Sequence, residues 1–153
     1  MTAFGIYLNE LQKNLARGDA TEHTHRSALQ SLLQSVAKGI TATNEPKHIP
    51  IIGAPDFKVS RGRIPLGNVE TKDVGTDLAE MERGKGPNGG QFIRYSALPN
   101  WILTDYLDFH WFTHGERSRV VRIADLVGKN KIKLLPDAEK ERTDLLESFI
   151  RCP

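Results

Sequence analysis

The sequence contains a single cysteine, Cys152, which lies one residue from the end of the chain. One thiol can form neither a disulfide nor a cysteine-based zinc site within the chain, so we expect the hydrophobic core to hold the fold together. Long apolar runs are also lacking, and residues 1–15 do not have the pattern of a signal peptide. These absences predict a cytoplasmic protein that makes no contact with a membrane.

An excess of charge of one sign is lacking as well. The chain has 21 basic and 19 acidic residues, for a formal net charge of +2, and this total gives no electrostatic argument for binding nucleic acid. Four small basic groups could nevertheless follow a phosphate backbone, or could belong to a solvated surface of mixed sign. They are Arg61 with Arg63, Arg83 with Lys85, Arg117 with Arg119 and Arg122, and Lys129 with Lys131 and Lys133.

The length and composition are those of an ordinary globular domain, with 153 residues, of which 39% are hydrophobic and 26% are charged. A chain of this length buries most of its apolar residues in one core. We therefore expect one domain that spans residues 1–153.

The order of the predicted elements indicates an α/β fold. Apolar residues spaced by three or four predict a helix over Ala3–Ala16 and a second helix from Thr21, as N-cap, to near Gly39. Short apolar stretches between glycines and prolines then predict strands. The predicted strands lie near Ile51 and at 57–59, 64–74, 101–104, 109–113 and 120–123. Helices are predicted at 77–83, capped by Thr76 or Asp77, at 91–98, and at 137–150, capped by Asp137.

Two short segments bring together residue types that suit phosphodiester hydrolysis, which needs a hard cation and a positioned water. Asp56 follows Pro55 at the start of a predicted strand, and Glu70 and Lys72 alternate to one face of the next. If the two strands are neighbours, Asp56 meets Glu70. These carboxylates and the backbone carbonyl of Thr71 could then hold a cation that keeps several waters, with Lys72 beside a metal-bound water.

The order and separation of Pro55-Asp56 and Glu70-Thr71-Lys72 resemble the two short motifs of the PD-(D/E)XK nuclease superfamily. The resemblance implies a restriction-endonuclease-like core, a central mixed β-sheet flanked by helices, with extra N- and C-terminal helices. It also implies Mg²⁺ as cofactor, for which Mn²⁺ can substitute, and Asp56, Glu70 and Lys72 as the catalytic centre. The residues alone also allow a non-catalytic interpretation, in which Asp56 is a turn residue and Glu70 and Lys72 form ion pairs on an exposed strand edge.

Two further segments extend the resemblance. Gln91 and Tyr95, one turn apart on a helix, resemble the motif that follows the catalytic strand in nuclease domains of restriction enzymes, where it supports the active site. The alternative is an ordinary amphipathic helix. Residues 21–29 resemble the helix before the core, whose acidic residue faces the active site, which implies Glu22 as an accessory metal ligand or as a partner of the ligands. An ion pair with Arg26 would also explain Glu22.

The region from residue 22 to 116 resembles the N-terminal nuclease region of single-chain restriction-modification enzymes that methylate adenine. This implies a phage-defence cleavage module acting on double-stranded DNA, with a core at about 20–125. Methyltransferase and target-recognition domains are implied in the same or a partner chain, and residues 136–151 would lead towards a missing methyltransferase or motor region. The resemblance also implies that two such domains form a dimer during cleavage. The chain itself has neither the phosphate loop of a motor nor the Asn-Pro-Pro-Tyr motif of a methyltransferase.

Other residues add less. Lys85, in the glycine-rich run from Gly84 to Gly90, and Arg94 are expected to contact DNA, because a basic loop lets a side chain and backbone amides approach phosphates. A zinc site at His23 and His25 is not expected, because residues two apart on a helix point away from each other. The rival hypothesis is a catalytically silent DNA-binding or assembly module with the nuclease fold. A small-molecule enzyme is disfavoured, since no nucleophile-base pair or cofactor loop is visible.

Overall fold

The computed structural model describes residues 2–136 and 139–151. The helices are α1 Ala3–Ala16, α2 Arg26–Ser35, α3 Leu78–Glu82, α4 Gly89–Tyr95 and α5 Glu139–Arg151. The strands are β1 Ile40–Asn44, β2 Phe57–Arg61, β3 Ile64–Thr71, β4 Asn100–Thr104, β5 Asp108–Thr113, β6 Glu116–Arg122, β7 Ala124–Val127 and β8 Lys131–Leu134. Among these helices, none combines the length and apolar character needed to cross a membrane.

The central sheet contains β1 to β6 in sequence order, and β7 and β8 form a separate hairpin. Every neighbouring pair in the central sheet is antiparallel except β3 and β4, which run parallel with Asn68 opposite Trp101 and Thr71 opposite Thr104. A parallel pair needs a long crossover connection, and here residues 72–99 supply it with α3 and α4. The predicted α/β fold with a central mixed sheet flanked by helices is confirmed.

Hydrophobic residues cover both faces of this sheet. On one face, buried strand residues such as Phe57, Val59 and Val69 join apolar residues of α1, α2 and α5 in one core cluster. On the other face, Trp101 and Phe112 stack with ring centroids 4.8 Å apart and pack in a second cluster with residues of α3 and α4. Because side chains alternate along a strand, Val69 faces the first cluster and its neighbour Glu70 faces the α4 side. In the site described below, Glu70 and Lys72 lie on that second side.

The sequence predictions of several elements were wrong in detail. Helix α2 begins at Arg26, because residues 21–25 form a turn in which Thr24 Oγ1 accepts from the amide of Thr21. The strand expected near Ile51 is a turn that exposes 92% of the Ile51 side chain. β3 ends at Thr71 rather than at residue 74, and α4 begins at Gly89.

Three strands, β1, β7 and β8, were not predicted at all. Asp77, by contrast, caps α3 as expected by accepting from the amide of Glu80 at 3.1 Å. The expected cap at Asp137 lies outside the described residues.

Helix α5 rests on β3 at Gly67. A Cβ at this glycine would lie 2.7 Å from the carbonyl oxygen of Asn100 and 2.7 Å from the ring of Phe149. The side-chain amide of Asn100 donates to the carbonyls of Leu66 and Phe149, both at 2.8 Å, and so joins the sheet to the helix. The close approach of α5 to β3 therefore requires a residue without a side chain.

Replacing Gly67 with alanine should lower the free energy of unfolding by about 1–3 kcal/mol, because the added methyl group overpacks a contact that includes backbone atoms. Chemical denaturation measures this difference. Gly90→Ala is the matched control, since its Cβ would meet only the Arg94 side chain at 3.8 Å and alanine favours the helix. Equal stabilities of the two variants would contradict this account of α5 packing.

His110 of β5 joins the sheet to the last residue of α3. Its Nδ1 lies 2.9 Å from Glu82 Oε2, and its Nε2 lies 3.8 Å from Asp108 Oδ2. Arg117 and Arg122 in turn pair with these two carboxylates. Burial alone lowers the pKa of His110, but the interactions with Asp108 and Glu82 outweigh it, and the pKa rises above its ordinary value of 6.5. The imidazolium form is thus stabilised in the folded protein.

The contribution of His110 to stability should depend on pH. Because its pKa is higher in the folded than in the unfolded chain, the stabilisation is complete below the unfolded pKa and is lost as pH rises through the folded pKa. His110→Gln should therefore cost more at about pH 5.5 than at about pH 8.5, by roughly 1 kcal/mol. Urea denaturation at the two pH values tests this, with exposed His48→Gln as control. A cost of His110→Gln that is the same at both pH values would refute it.

Candidate active site

The backbone register places Asp56 beside Glu70. Asp56 immediately precedes β2, and Phe57 pairs with Val69 in the antiparallel ladder between β2 and β3. The amide of Asp56 donates to Glu70 Oε1 at 3.1 Å. The two strands are neighbours, and Asp56 meets Glu70 as expected for that case, although Asp56 lies just before β2 and not on it.

Hydrogen bonds fix the carboxylate of Asp56 from two sides. Its Oδ2 accepts from both the amide and the hydroxyl of Thr71, at 2.7 and 2.8 Å, and its Oδ1 lies 2.6 Å from Arg26 Nη2. Each carboxylate oxygen has two lone pairs, so Oδ1 keeps one that these bonds do not use. Asp56 is thus rigidly oriented and retains capacity for one further ligand.

Glu70 carries a strongly perturbed carboxyl group. Only 4% of the residue is exposed, and burial followed by the charge of Asp56 raises its pKa to about 8 against the opposing charge of Lys72. At neutral pH the protonated form of Glu70 therefore predominates in the absence of a metal, and a cation bound beside it would favour the charged form.

The carboxylates of Asp56 and Glu70 supply the type of ligand atom that a magnesium ion prefers. Mg²⁺ prefers oxygen ligands and usually binds proteins through one or two carboxylates while keeping several waters. Within residues 2–136 and 139–151, no group of three or more His, Cys, Asp or Glu residues is arranged to hold a metal. A cation at this place would therefore be held by Asp56 and Glu70 with water, and the role expected for the carbonyl of Thr71 stays a prediction.

The ammonium group of Lys72 is held by a set of three acceptors. Its Nζ lies 2.6 Å from Gln91 Oε1, 3.2 Å from Glu70 Oε2 and 3.5 Å from Asn88 Oδ1. The amide group of Gln91 donates to the hydroxyl of Tyr95 at 3.4 Å. The structure thus brings Gln91 and Tyr95 to Lys72, and it adds Asn88, which sequence reasoning missed.

A tightly folded glycine loop sets the position of Asn88 and Gln91. A Cβ at Gly89 would lie 2.4 Å from the backbone carbon of Gly84, and Gly86 has a φ of +72°. These values require glycine, because other residues clash in the first position and are strained in the second. The close approach of Gly89 to Gly84 fixes where α4 begins, and this start places Asn88 and Gln91 next to Lys72.

Glu22 lies near the site but does not face it from a helix. It belongs to the turn before α2, where its amide donates to Asp73 Oδ1 at 2.7 Å and its carboxylate lies 3.7 Å from Arg26 Nη2. Burial, followed by the charge of Asp56, raises the pKa of Glu22. Its part as a metal ligand stays a prediction.

Arg26, like Asn88, is a residue of the site that sequence reasoning did not assign. The i, i+4 spacing from Glu22 indicated an ion pair between them, but nothing in the sequence indicated the bond to Asp56.

The two residues expected to contact DNA lie on the surface. Lys85 is exposed in the glycine loop, and its amide donates to the carbonyl of Glu80. Arg94 is exposed on α4, and its Nε donates to the carbonyl of Ile52 at 3.4 Å. Their contact with DNA stays a prediction.

Gln91→Ala should lower the free energy of unfolding by about 1–3 kcal/mol, because the buried ammonium of Lys72 loses its nearest acceptor. The matched control is Ile93→Ala on the same helix, where 63% of the side chain is exposed and a change within about 0.5 kcal/mol is expected. Chemical denaturation compares the two. If Gln91→Ala were no more destabilising than the control, the bond to Lys72 would not support the site.

No protein-family model and no curated protein matches the chain. A chain of a solved structure described as "cryoEM structure DrdV-DNA complex" is similar in structure, with a TM-score of 0.74 and 18% sequence identity. The match covers 98% of the present chain and 96% of that chain. This chain therefore has the fold of that solved chain over nearly its whole length.

Proposed function

We propose that the chain is a magnesium-dependent endonuclease domain of the PD-(D/E)XK class that hydrolyses phosphodiester bonds in DNA. The observation that carries the proposal is the meeting of Asp56, Glu70 and Lys72 at the end of β3, with Lys72 Nζ 3.2 Å from Glu70 and 2.6 Å from Gln91. A buried carboxylate pair beside a buried ammonium group is costly to fold. It suits a reaction in which negative charge develops on a bound group.

DNA as the substrate is supported by the fold. The similar solved chain comes from a complex with DNA, and the alignment extends over 96% of that chain. Exposed Lys85 and Arg94 lie on the glycine loop and on α4, the segments that also carry Asn88 and Gln91. Their positive charges would attract the phosphate backbone towards that side of the sheet.

The residues divide the chemical work among them. Asp56 and Glu70 would hold Mg²⁺, or Mn²⁺ in its place, and the bound ion would supply an activated water and neutralise charge on the phosphate. Lys72 would donate a hydrogen bond to a phosphate oxygen or to the attacking water in place of its 3.5 Å contact with Asn88, since its ammonium lies next to Glu70. Gln91, held by Tyr95, fixes the direction of that ammonium.

The resemblance of the motifs to those of restriction enzymes supports a proposal for the biological setting. We propose that the domain is the cleavage module of a restriction-modification enzyme used in phage defence. Methyltransferase and target-recognition domains would lie in the same or a partner chain. Two nuclease domains would meet when both DNA strands are cut.

Lys72→Ala and Glu70→Gln should each reduce nicking of plasmid DNA in magnesium by at least about 100-fold, because each removes a group that touches the reacting phosphate or its cation. Lys38→Ala, a change of an exposed lysine outside the site, is the control and should cut at the wild-type rate. Circular dichroism should show that each variant is folded.

Undiminished cutting by both folded variants would overturn the proposal. Binding of DNA by the wild-type protein without any metal-dependent cutting would support the rival hypothesis of a catalytically silent DNA-binding or assembly module.

A further inference from the structure

Arg26 lies among three carboxylates at the edge of the proposed site. Its guanidinium is 2.6 Å from Asp56, 3.4 Å from Glu45 and 3.7 Å from Glu22, and its side chain is 8% exposed. Among the described residues, its buried Nε has no hydrogen-bond partner. The guanidinium is therefore held chiefly by the carboxylates around its Nη1 and Nη2 atoms.

Asp56 shares its oxygens between this cation and the strand. Oδ2 is filled by the two donors of Thr71, and one of the two lone pairs on Oδ1 is taken by Arg26. Glu70 keeps one unused lone pair on each oxygen, since Oε1 accepts from the Asp56 amide and Oε2 faces Lys72. The unused lone pairs are therefore one on Asp56 Oδ1 and one on each oxygen of Glu70.

We infer that Arg26 fills the position that a second metal ion would take, so that the site binds one divalent cation, between Asp56 and Glu70, rather than two. The inference rests on the proposed metal-dependent function. In two-metal nuclease sites the ions lie about 3.5–4 Å apart and share carboxylates. Arg26 is bonded to Asp56 Oδ1 at 2.6 Å and takes one of its two lone pairs, so only one lone pair of Asp56 is left, and two ions cannot share this carboxylate.

This arrangement gives Glu22 a different task from that of a ligand. With Arg26 between Glu22 and Asp56, the carboxylate of Glu22 neutralises and orients the guanidinium. Glu45, whose side chain is 74% exposed, does the same from the solvent side. Glu22 is thus a positioning residue that acts through Arg26.

The test is the number of manganese ions bound per chain, counted from the electron paramagnetic resonance signal of free Mn²⁺ during titration. The wild-type protein should bind one ion. Arg26→Gln should bind two, because it frees Asp56 Oδ1 and leaves Glu22 and Glu45 without their cation. Arg26→Lys, which keeps the charge, should bind one, as should the control Arg63→Gln in the exposed turn between β2 and β3.

Two ions on the wild-type protein, or one ion on folded Arg26→Gln, would overturn the inference and leave the proposed nuclease function intact. If no variant bound manganese, the metal-dependent function itself would fail. If Arg26→Gln does not fold, Glu22→Gln still decides the matter. Its manganese affinity should stay within about twofold of wild type, and a loss of about tenfold would make Glu22 a ligand and overturn the inference.

Discussion

The double pairing of β3 is the constraint on which the site depends. β3 is bonded to β2 on one side and to β4 on the other, so its side chains can point only to one sheet face or the other. Val69 and Thr71 are buried on the face of the large core cluster, which leaves Glu70 and Lys72 on the face of α4. A shift of one residue in this register would exchange the two sets, and both the core and the charge network would be lost.

The parallel pairing of β3 with β4 also determines which elements pack over Glu70 and Lys72. A parallel neighbour requires a crossover, and the crossover here contains the glycine loop and α4, which bring Asn88 and Gln91 to Lys72. The packing of Trp101 against Tyr95, at 5.8 Å between ring centroids, fixes α4 on the sheet. The hydrophobic cluster of this face thus positions the polar side chains that hold Lys72, in part through the bond from Gln91 to the hydroxyl of Tyr95.

Sequence periodicity predicted much of the fold, for physical reasons that differ between elements. Helix α1 has the predicted bounds because its apolar residues repeat with the helical period and Thr2 caps it. Strand β1 escaped prediction because only Ile40 and Ala42 in it are buried, and its pairing with β2 supplies what the local pattern lacks. Strands of this kind form because they pair with a neighbouring strand, and their local sequence does not predict them.

The candidate site was predictable where it depends on strand alternation and helix spacing. The meeting of Asp56 with Glu70 and the spacing of Gln91 and Tyr95 belong to this class. The bond between Arg26 and Asp56 does not, because it joins side chains 30 residues apart across a turn whose path the sequence does not specify. Long-range ion pairs of this kind depend on how α2 packs against the sheet, and only the assembled fold determines that.

The charges of the site stabilise the protein only as a set. Asp56, Arg26, Glu70 and Lys72 are each largely withdrawn from water, and each has an oppositely charged neighbour within 3.2 Å. Removing one partner from such a pair leaves the other buried and uncompensated, which costs several times what an exposed ion pair contributes. The loss of activity predicted for substitutions here would therefore combine a chemical and a structural effect. An added cation would compensate Glu70 but could not replace the bond of Lys72 to Gln91. Metal binding should therefore restore stability to a variant in which Glu70 has lost its positive partner, and should not restore it to a variant in which Lys72 has lost Gln91.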